Sequence, residues 1–513
     1  MTGSYTTGVD QTDGLFKSAE DVQWLDSNGT PTIGDWFRAL GYSTHYFGKW
    51  HVSELHPSMR PWGFEDWNSS YPEPHGGGAD NLGVYRDVGF TDNIVEFLSK
   101  QGMDRSRDKP WLAVGSLVNP HDNGNWPSPW QFPADLGVVP WGGLSLLIPP
   151  KGAKSLPGFN GLVVDLNPDG FPQENCTLPP TYHETLADKP SCQYDYSLKL
   201  GFAFKSMYEY KHIPSPQPFQ IHPFASQWSL GYNQFYYYCQ YLADLQLRRI
   251  LQALDENDLT GDTIVIFLSD HGEMAGAHGG MIQKWHNAYD ETIRVPMIIS
   301  SPLVNQDSEQ MREIVQPTSS IDVLPTLLAL SGYDVDELHA RMESLHGASV
   351  NDLAGVDLSP HIKGDTTGPV LDRDGNPRPG VLFTTKDMIT EIGATPTAEI
   401  QGQYDLFLEN IDQAIQDGYP LAPGTIRQPN NIKALCTGDW KIVRYEDPYH
   451  NEADEWELYC LTADPIENIN LVDFRTGQVR DGVSVPGLTK DELIAKNQQL
   501  KQELAQQAAA ALG

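Results

Sequence analysis

Apolar residues along the first half of the chain follow two periods in turn. In "IGDWFRALG", Ile33, Trp36, Phe37 and Leu40 fall at the spacing of one helix face, and Gly41 stands where a helix end favours positive φ. A run through Thr44, Tyr46 and Phe47 then reads as a strand that ends at Gly48, Lys49, Trp50 and His51. The pair of elements recurs. "FTDNIVEFLSK" reads as a helix capped at Thr91 or Asp92, and "KPWLAVGSLVNPHD" as a strand ending at Asn119, Pro120, His121 and Asp122. It recurs once more in "YYYCQYLADLQLRRILQALDEN", a helix, and "DTIVIFLSDHGE", a strand rich in β-branched residues that ends at Ser269, Asp270 and His271. "VPMIISS" is a last strand.

Alternating helices and continuous apolar strands predict an α/β fold with a mostly parallel or mixed central sheet covered by helices on both faces. In such sheets ligands bind beyond the carboxyl ends of the strands, where all three polar clusters fall. Between about 123 and 235 the periodicity lapses into Gly, Pro, Asn and Trp, which reads as a long insertion over the site. Past about 380, "NIKALCTGDWKIVRYED" and "DEWELYCLTADP" read as antiparallel strands with Gly-Asp and Asp-Pro turns, and "TKDELIAKNQQLKQELAQQAAAAL" as a closing helix. The expected domains are therefore an α/β domain over 1–380 and a smaller α+β domain over 381–513.

Charge narrows the function classes. Among 513 residues, 34 Lys and Arg stand against 68 Asp and Glu, a net charge of −34 that repels nucleic acid and anionic membrane surfaces. No apolar run reaches membrane-spanning length, and "MTGSYTTGVD" lacks the basic and apolar regions of a signal peptide. Of the five cysteines, Cys176 with Cys192 and Cys436 with Cys460 could each close a loop in an exported protein, leaving Cys239 free; reduced thiols explain the count equally well. Periplasmic, extracellular and cytoplasmic locations all stay open.

The tripeptide KWH occurs at 49–51 and again at 284–286, with unrelated flanks. Lys49 and His51, two apart on an extended segment, would point to one side and offer two donors to an anion. His121 stands either in such a site or in a simple turn. Asp270 and His271, followed by a Gly-rich stretch, suit a metal; the plainer reading is a carboxylate capping the next helix. Lys284 follows that stretch at a distance that lets it fold back over the same strand end. Trp126, Trp130 and Trp141 in the insertion read either as stacking surfaces for a sugar or aromatic group or as packing anchors.

In their order, "FGKWH", "VNPHD" and "IVIFLSDHGEMAGAHGGMIQKWHNAYDETIRVPMIIS" resemble the sulfatases of the alkaline phosphatase superfamily, and "SSIDVLPTLLALSG" and "ELYCLTADPIENINL" resemble further landmarks of that family. The resemblance implies an alkaline phosphatase-like fold and hydrolysis of sulfate esters, small-molecule or carbohydrate. It implies a divalent metal, calcium first with manganese or another transition metal as alternatives, and a formylglycine made by a maturation enzyme. Residue by residue, Asp270 and His271 match metal ligands, Lys49 the lysine on a sulfate oxygen, and His51 the histidine that hydrogen-bonds the formylglycine hydrate. His121 and Lys284 match the groups on sulfate and the ester oxygen. The two KWH triplets are then two arms of one anion site, with Trp50 and Trp285 packing around it.

This sequence departs from the family at two points. The family often has Asn where His271 stands, and imidazole is a poor calcium ligand. No cysteine has Pro two residues later and Arg two beyond that, and "MTGSYTTGVD" resembles the stretch just after the family's cysteine motif. The expectation is a sulfatase shortened at its N-terminus, inactive alone, weak in calcium binding, and with an inner strand missing from its sheet. Two alternatives remain: a phosphodiesterase or phosphonate monoester hydrolase of the same superfamily, and a noncatalytic anion-binding homologue.

Overall fold

The computed structural model describes residues 15–18, 21–53, 58–65, 82–104, 108–126, 148–155, 161–172, 176–210, 218–222, 225–305, 311–346 and 350–512, together with Thr2, Tyr5 and Pro157. The expectations for Trp130 and Trp141, and for most of "MTGSYTTGVD", fall outside these residues.

Helix α1, Ile33–Ala39, starts at a capping box in which Thr32 accepts from Gly34 N while Asp35 accepts from Thr32 N. It ends before Gly41, whose φ is +89°. Strand β1, Ser43–Gly48, pairs in parallel with β2, Trp111–Ser116. Between them runs helix α2, Gly83–Met103, which begins well before the predicted cap at Thr91 or Asp92. Its cap comes from far along the chain: Asp122 accepts from Gly83 N at 2.8 Å and from Val84 N at 3.0 Å. Helix α3, Ser191–Tyr210, and helix α4, Ala225–Glu256, follow. The segment read as an aperiodic insertion thus contains a full-length helix. Strand β3, Val265–Leu268, pairs antiparallel with β4, Met297–Ser300.

Strand directions at the site are mixed, as expected; β1 is buried on both faces, but β3 and β4 are not. Among the described residues, β1–β2 and β3–β4 form two separate pairs. Both border a cavity of about 4320 Å³ that is also lined by Leu247, Leu251 and Leu254 of α4. Phe267 and Leu268 on β3 are 37% and 42% exposed, and Ile298 on β4 is 58% exposed.

The C-terminal region is the predicted antiparallel sheet, in the order β5 (Val381–Thr385), β6 (Asn431–Cys436), β7 (Trp440–Glu446) and β8 (Glu455–Cys460). Leu435, Ile442 and Leu458 on one face pack against Leu493, Leu500 and Leu504 of the last helix, Lys490–Leu512. Ala434, Val443, Tyr445 and Tyr459 on the other share a core with Cys192, Tyr196 and Leu200 of α3.

All five cysteines are free thiols, so neither disulfide pairing forms. The reason is plain for Cys436 and Cys460. They flank β7 on opposite sides, opposite Lys441 and Trp440, so two strand spacings, about 9.5 Å, separate their strands, beyond the reach of a disulfide.

Candidate active site

Each candidate residue is delivered by a strand end or by the loop after one. At the end of β1, Gly48 takes φ +117°, and a Cβ there would lie 1.9 Å from the Ser116 carbonyl oxygen, so only glycine admits this approach of β1 to β2. Lys49 N then donates to that same carbonyl at 2.9 Å, and the Tyr46 hydroxyl donates to the Lys49 carbonyl. His51 has φ +57°, so the segment is not extended there and the same-side argument for Lys49 and His51 does not hold. Trp50 is buried against Tyr46, Trp62 and Phe64, as a packing residue would be.

His121 sits at the head of a short turn, His121–Asn125, that two buried carboxylates clamp to α2. Asp87, on the first turns of α2, accepts from Val118 N at 2.6 Å and Asn119 N at 2.9 Å, while Asp122 accepts from the start of α2. Burial pushes Asp87 up to about 8 and Asp122 up to about 6, against the pull of those backbone N–H groups and of Lys49. The sequence marked Asp122 only as part of the polar cluster at a strand end and did not single out Asp87.

Lys284 is carried by a loop pinned at several points. The half-buried Glu273 carboxylate accepts from Ala275 N at 3.1 Å, Gln283 N at 2.6 Å and the Tyr232 hydroxyl at 3.1 Å. His286 N donates to Asp387 at 2.7 Å. His278 lies flat on Tyr289, with ring centroids 3.6 Å apart, and its Nδ1 pairs with Glu184 at 2.7 Å. Ala275, His278, Gln283 and His286 all take positive φ, a concentration of strained backbone that such pinning holds in place. Lys284 Nζ lies 4.8 Å over the Trp285 ring.

These elements converge. Burial pushes His121 well below the usual imidazole range, and Lys49, Lys284, His51 and His271 push it further the same way. Burial and Lys284 likewise bring His271 down to about 4. Burial works to raise Asp270, but His271, Lys284 and Lys49 outweigh it and hold the carboxyl below its ordinary range. Both KWH arms and the turn at His121 therefore act on one another, and the six predicted residues border the same cavity. Because His121 and His271 are held neutral at pH 7, the positive charge of the site rests chiefly on the lysines.

As a metal site the same residues fall short. His271 Nδ1 donates to the Gly272 carbonyl at 2.8 Å, which leaves Nε2 as an acceptor, 3.5 Å from the Asp270 carboxylate. That is one carboxylate and one imidazole, whereas calcium takes about six to eight oxygens. Among the described residues no third His, Cys, Asp or Glu joins them. The described donor set does not fit calcium.

Trp126 resolves as a packing anchor, edge-on to Trp228 at 5.0 Å and to Phe219 at 5.5 Å. No helix among the described residues is long and apolar enough to cross a membrane.

The chain is 25% identical over 354 residues to an ulvan-active sulfatase of Formosa agariphila, covering 66% of this chain and 52% of that protein. It is 22% identical over 456 residues to an N-acetylglucosamine-6-O-sulfatase of Bacteroides thetaiotaomicron, covering 84% of this chain and 66% of the relative. It thus spans between about half and two thirds of the length of these curated relatives. Its fold matches the solved structure of a 2-O GAG sulfatase with a TM-score of 0.58 at 17% identity, over 99% of this chain and 80% of that one. The sulfatase family model matches residues 4–333, well over half of the sequence, and the chain belongs to that family.

Proposed function

We propose that this chain carries the anion-binding face of a sulfatase site and that the reaction is hydrolysis of a sulfate ester on a carbohydrate. The observation that carries the reading is that Lys49, His51, His121, Asp270, His271 and Lys284 border one cavity, with Lys49, Lys284, His51 and His271 all acting on His121. A protein of net charge −34 repels a sulfate ester at long range, so it must set cations inside a site partly withdrawn from water to hold one. The carbohydrate rests on the relatives, an ulvan-active sulfatase and an N-acetylglucosamine-6-O-sulfatase.

In this reading Lys49 and Lys284 neutralise the sulfate oxygens and orient the ester. His51 hydrogen-bonds toward the nucleophile. His121 enters neutral; the charge of a bound sulfate raises it, so that it takes up a proton in the complex and stands beside the ester oxygen that needs one as the S–O bond breaks. Sulfatases generally use a divalent metal together with formylglycine, which supplies the attacking oxygen. In this chain Asp270 and His271 alone do not complete a calcium site, and no cysteine carries the formylglycine motif, so the contribution of its own residues is to bind, orient and move a proton. The site belongs to an α/β domain that we place at 1–380, with a smaller domain at 381–513.

Matched 4-nitrophenyl sulfate and phosphate esters, offered to turnover-competent protein, test the reading. Faster sulfate release supports it. Faster phosphate release would favour a phosphoesterase.

A further inference from the structure

The turn that carries His121 contains a second polar side chain with no structural use. Asn123 is 3% exposed, and both its amide nitrogen and its amide oxygen are buried without a hydrogen-bond partner. Its backbone is fully engaged: Asn123 N donates to the Pro120 carbonyl at 3.0 Å, and its carbonyl accepts from Trp126 N at 3.1 Å. A buried amide left unpaired at both ends costs its full desolvation, and the great majority of such groups in folded proteins are satisfied. The location gives the cost a reason. Asn123 borders the same cavity as His121, Lys49 and Lys284. At the next residue, a Cβ built on Gly124 would lie 3.6 Å from Gln283 Nε2, which places this turn directly against the residue before Lys284.

The chemistry of the orphaned pair narrows the ligand. An amide offers a donor and an acceptor side by side. A sulfate oxygen would satisfy only the NH₂ group and would face the carbonyl oxygen with like charge. A hydroxyl, which can donate or accept, pairs with either end without setting like charge against the carbonyl. We propose that Asn123 is a specificity-determining residue that hydrogen-bonds a ring hydroxyl next to the sulfated carbon of a sugar, while Lys49 and Lys284 hold the sulfate. This rests on the anion-binding reading above and adds to it the recognition of a vicinal hydroxyl. A site built to pair with a hydroxyl discriminates strongly against a ligand that lacks one.

Calorimetric binding to the chain as it stands tests this without turnover. The probes are glucose 3-sulfate, whose ester is flanked by hydroxyls, and methyl sulfate, which has none. The wild type should bind the sugar sulfate about tenfold more tightly, and Asn123→Ala should erase that advantage while leaving methyl sulfate within about twofold. Asn123→Ala should also leave the melting temperature unchanged or higher, because an unpaired buried amide has been removed. Asn123→Ser, which keeps a donor and an acceptor, should recover part of the preference. Equal loss for both probes, no change for either, or a clear fall in melting temperature would overturn the role of Asn123 and leave the anion site standing. Failure of methyl sulfate to bind the wild type would instead overturn the anion site, and this proposal with it.

Discussion

The C-terminal sheet and the strands at the site are made of similar residues, yet they stand in opposite conditions. In β6, β7 and β8 one apolar face lies under the last helix and the other against α3. In β3 and β4 the same types of residue face a cavity, with Phe267, Leu268 and Ile298 open to it. Polar groups are reversed as well. The C-terminal region pairs its buried charges, as Lys441 does with Glu467 at 2.7 Å. The site region turns the buried carboxylates Asp87 and Asp122 and the half-buried Glu273 toward backbone N–H groups and so uses them to set the turn of His121 and the loop of Lys284. One region spends its interactions on stability, the other on geometry.

The sharpest way to break this contrast is at Lys441. Lys441→Ala leaves the buried Glu467 carboxylate without its cation and should cost about 3–5 kcal/mol by chemical denaturation; a cost near zero would mean that the pair does not hold the region together. Next, Leu435→Ala or Leu458→Ala should cost about 2–5 kcal/mol, while Ile298→Ala, already open to the cavity, should stay within about 0.5 kcal/mol. Equal costs would erase the distinction between the two regions.

A third test concerns pH. The folded state raises Asp87 and Asp122 to about 8 and about 6, so it binds protons that the unfolded chain releases. Their contribution is therefore fully present below about pH 4 and is lost as pH rises toward 8. Asp87→Asn should flatten that slope in thermal melts between pH 5 and about 8. An unchanged slope would assign the pH dependence elsewhere.

What could be read in advance followed from periodicity and what could not followed from long-range pairing. The spacing of Ile33, Trp36, Phe37 and Leu40 and the apolar runs before Lys49, His121 and Asp270 located α1 and the strands, because one-sided or strand-like burial writes itself into sequence. Helix α3 left no such trace. It is buried on most sides, and its polar residues are paired inside: Gln193 with Tyr445 and Glu457, and Lys199 with Asp195. The start of α2 was hidden because its cap, Asp122, lies 39 residues from Gly83. At the site, Lys49, His121, Asp270, His271 and Lys284 were visible as polar clusters at strand ends. Asp87, Glu273 and Asn123 acquire meaning only from hydrogen bonds made, or left unmade, across the fold. Extended geometry at His51 was a local inference that the backbone reversed, as was the helix cap at Thr91 or Asp92.

The central claim is that the two KWH arms and His121 form one anion site. Calorimetric titration of inorganic sulfate at low ionic strength, into wild type, Lys49→Ala and Lys284→Ala, tests it most directly. Each variant should lose at least about tenfold in affinity, since each removes a cation in a site partly shielded from water. Wild-type affinity should rise as pH falls from 8 to about 5, because bound sulfate draws a proton onto His121. Sulfate binding that neither substitution weakens and that pH does not change would contradict the account.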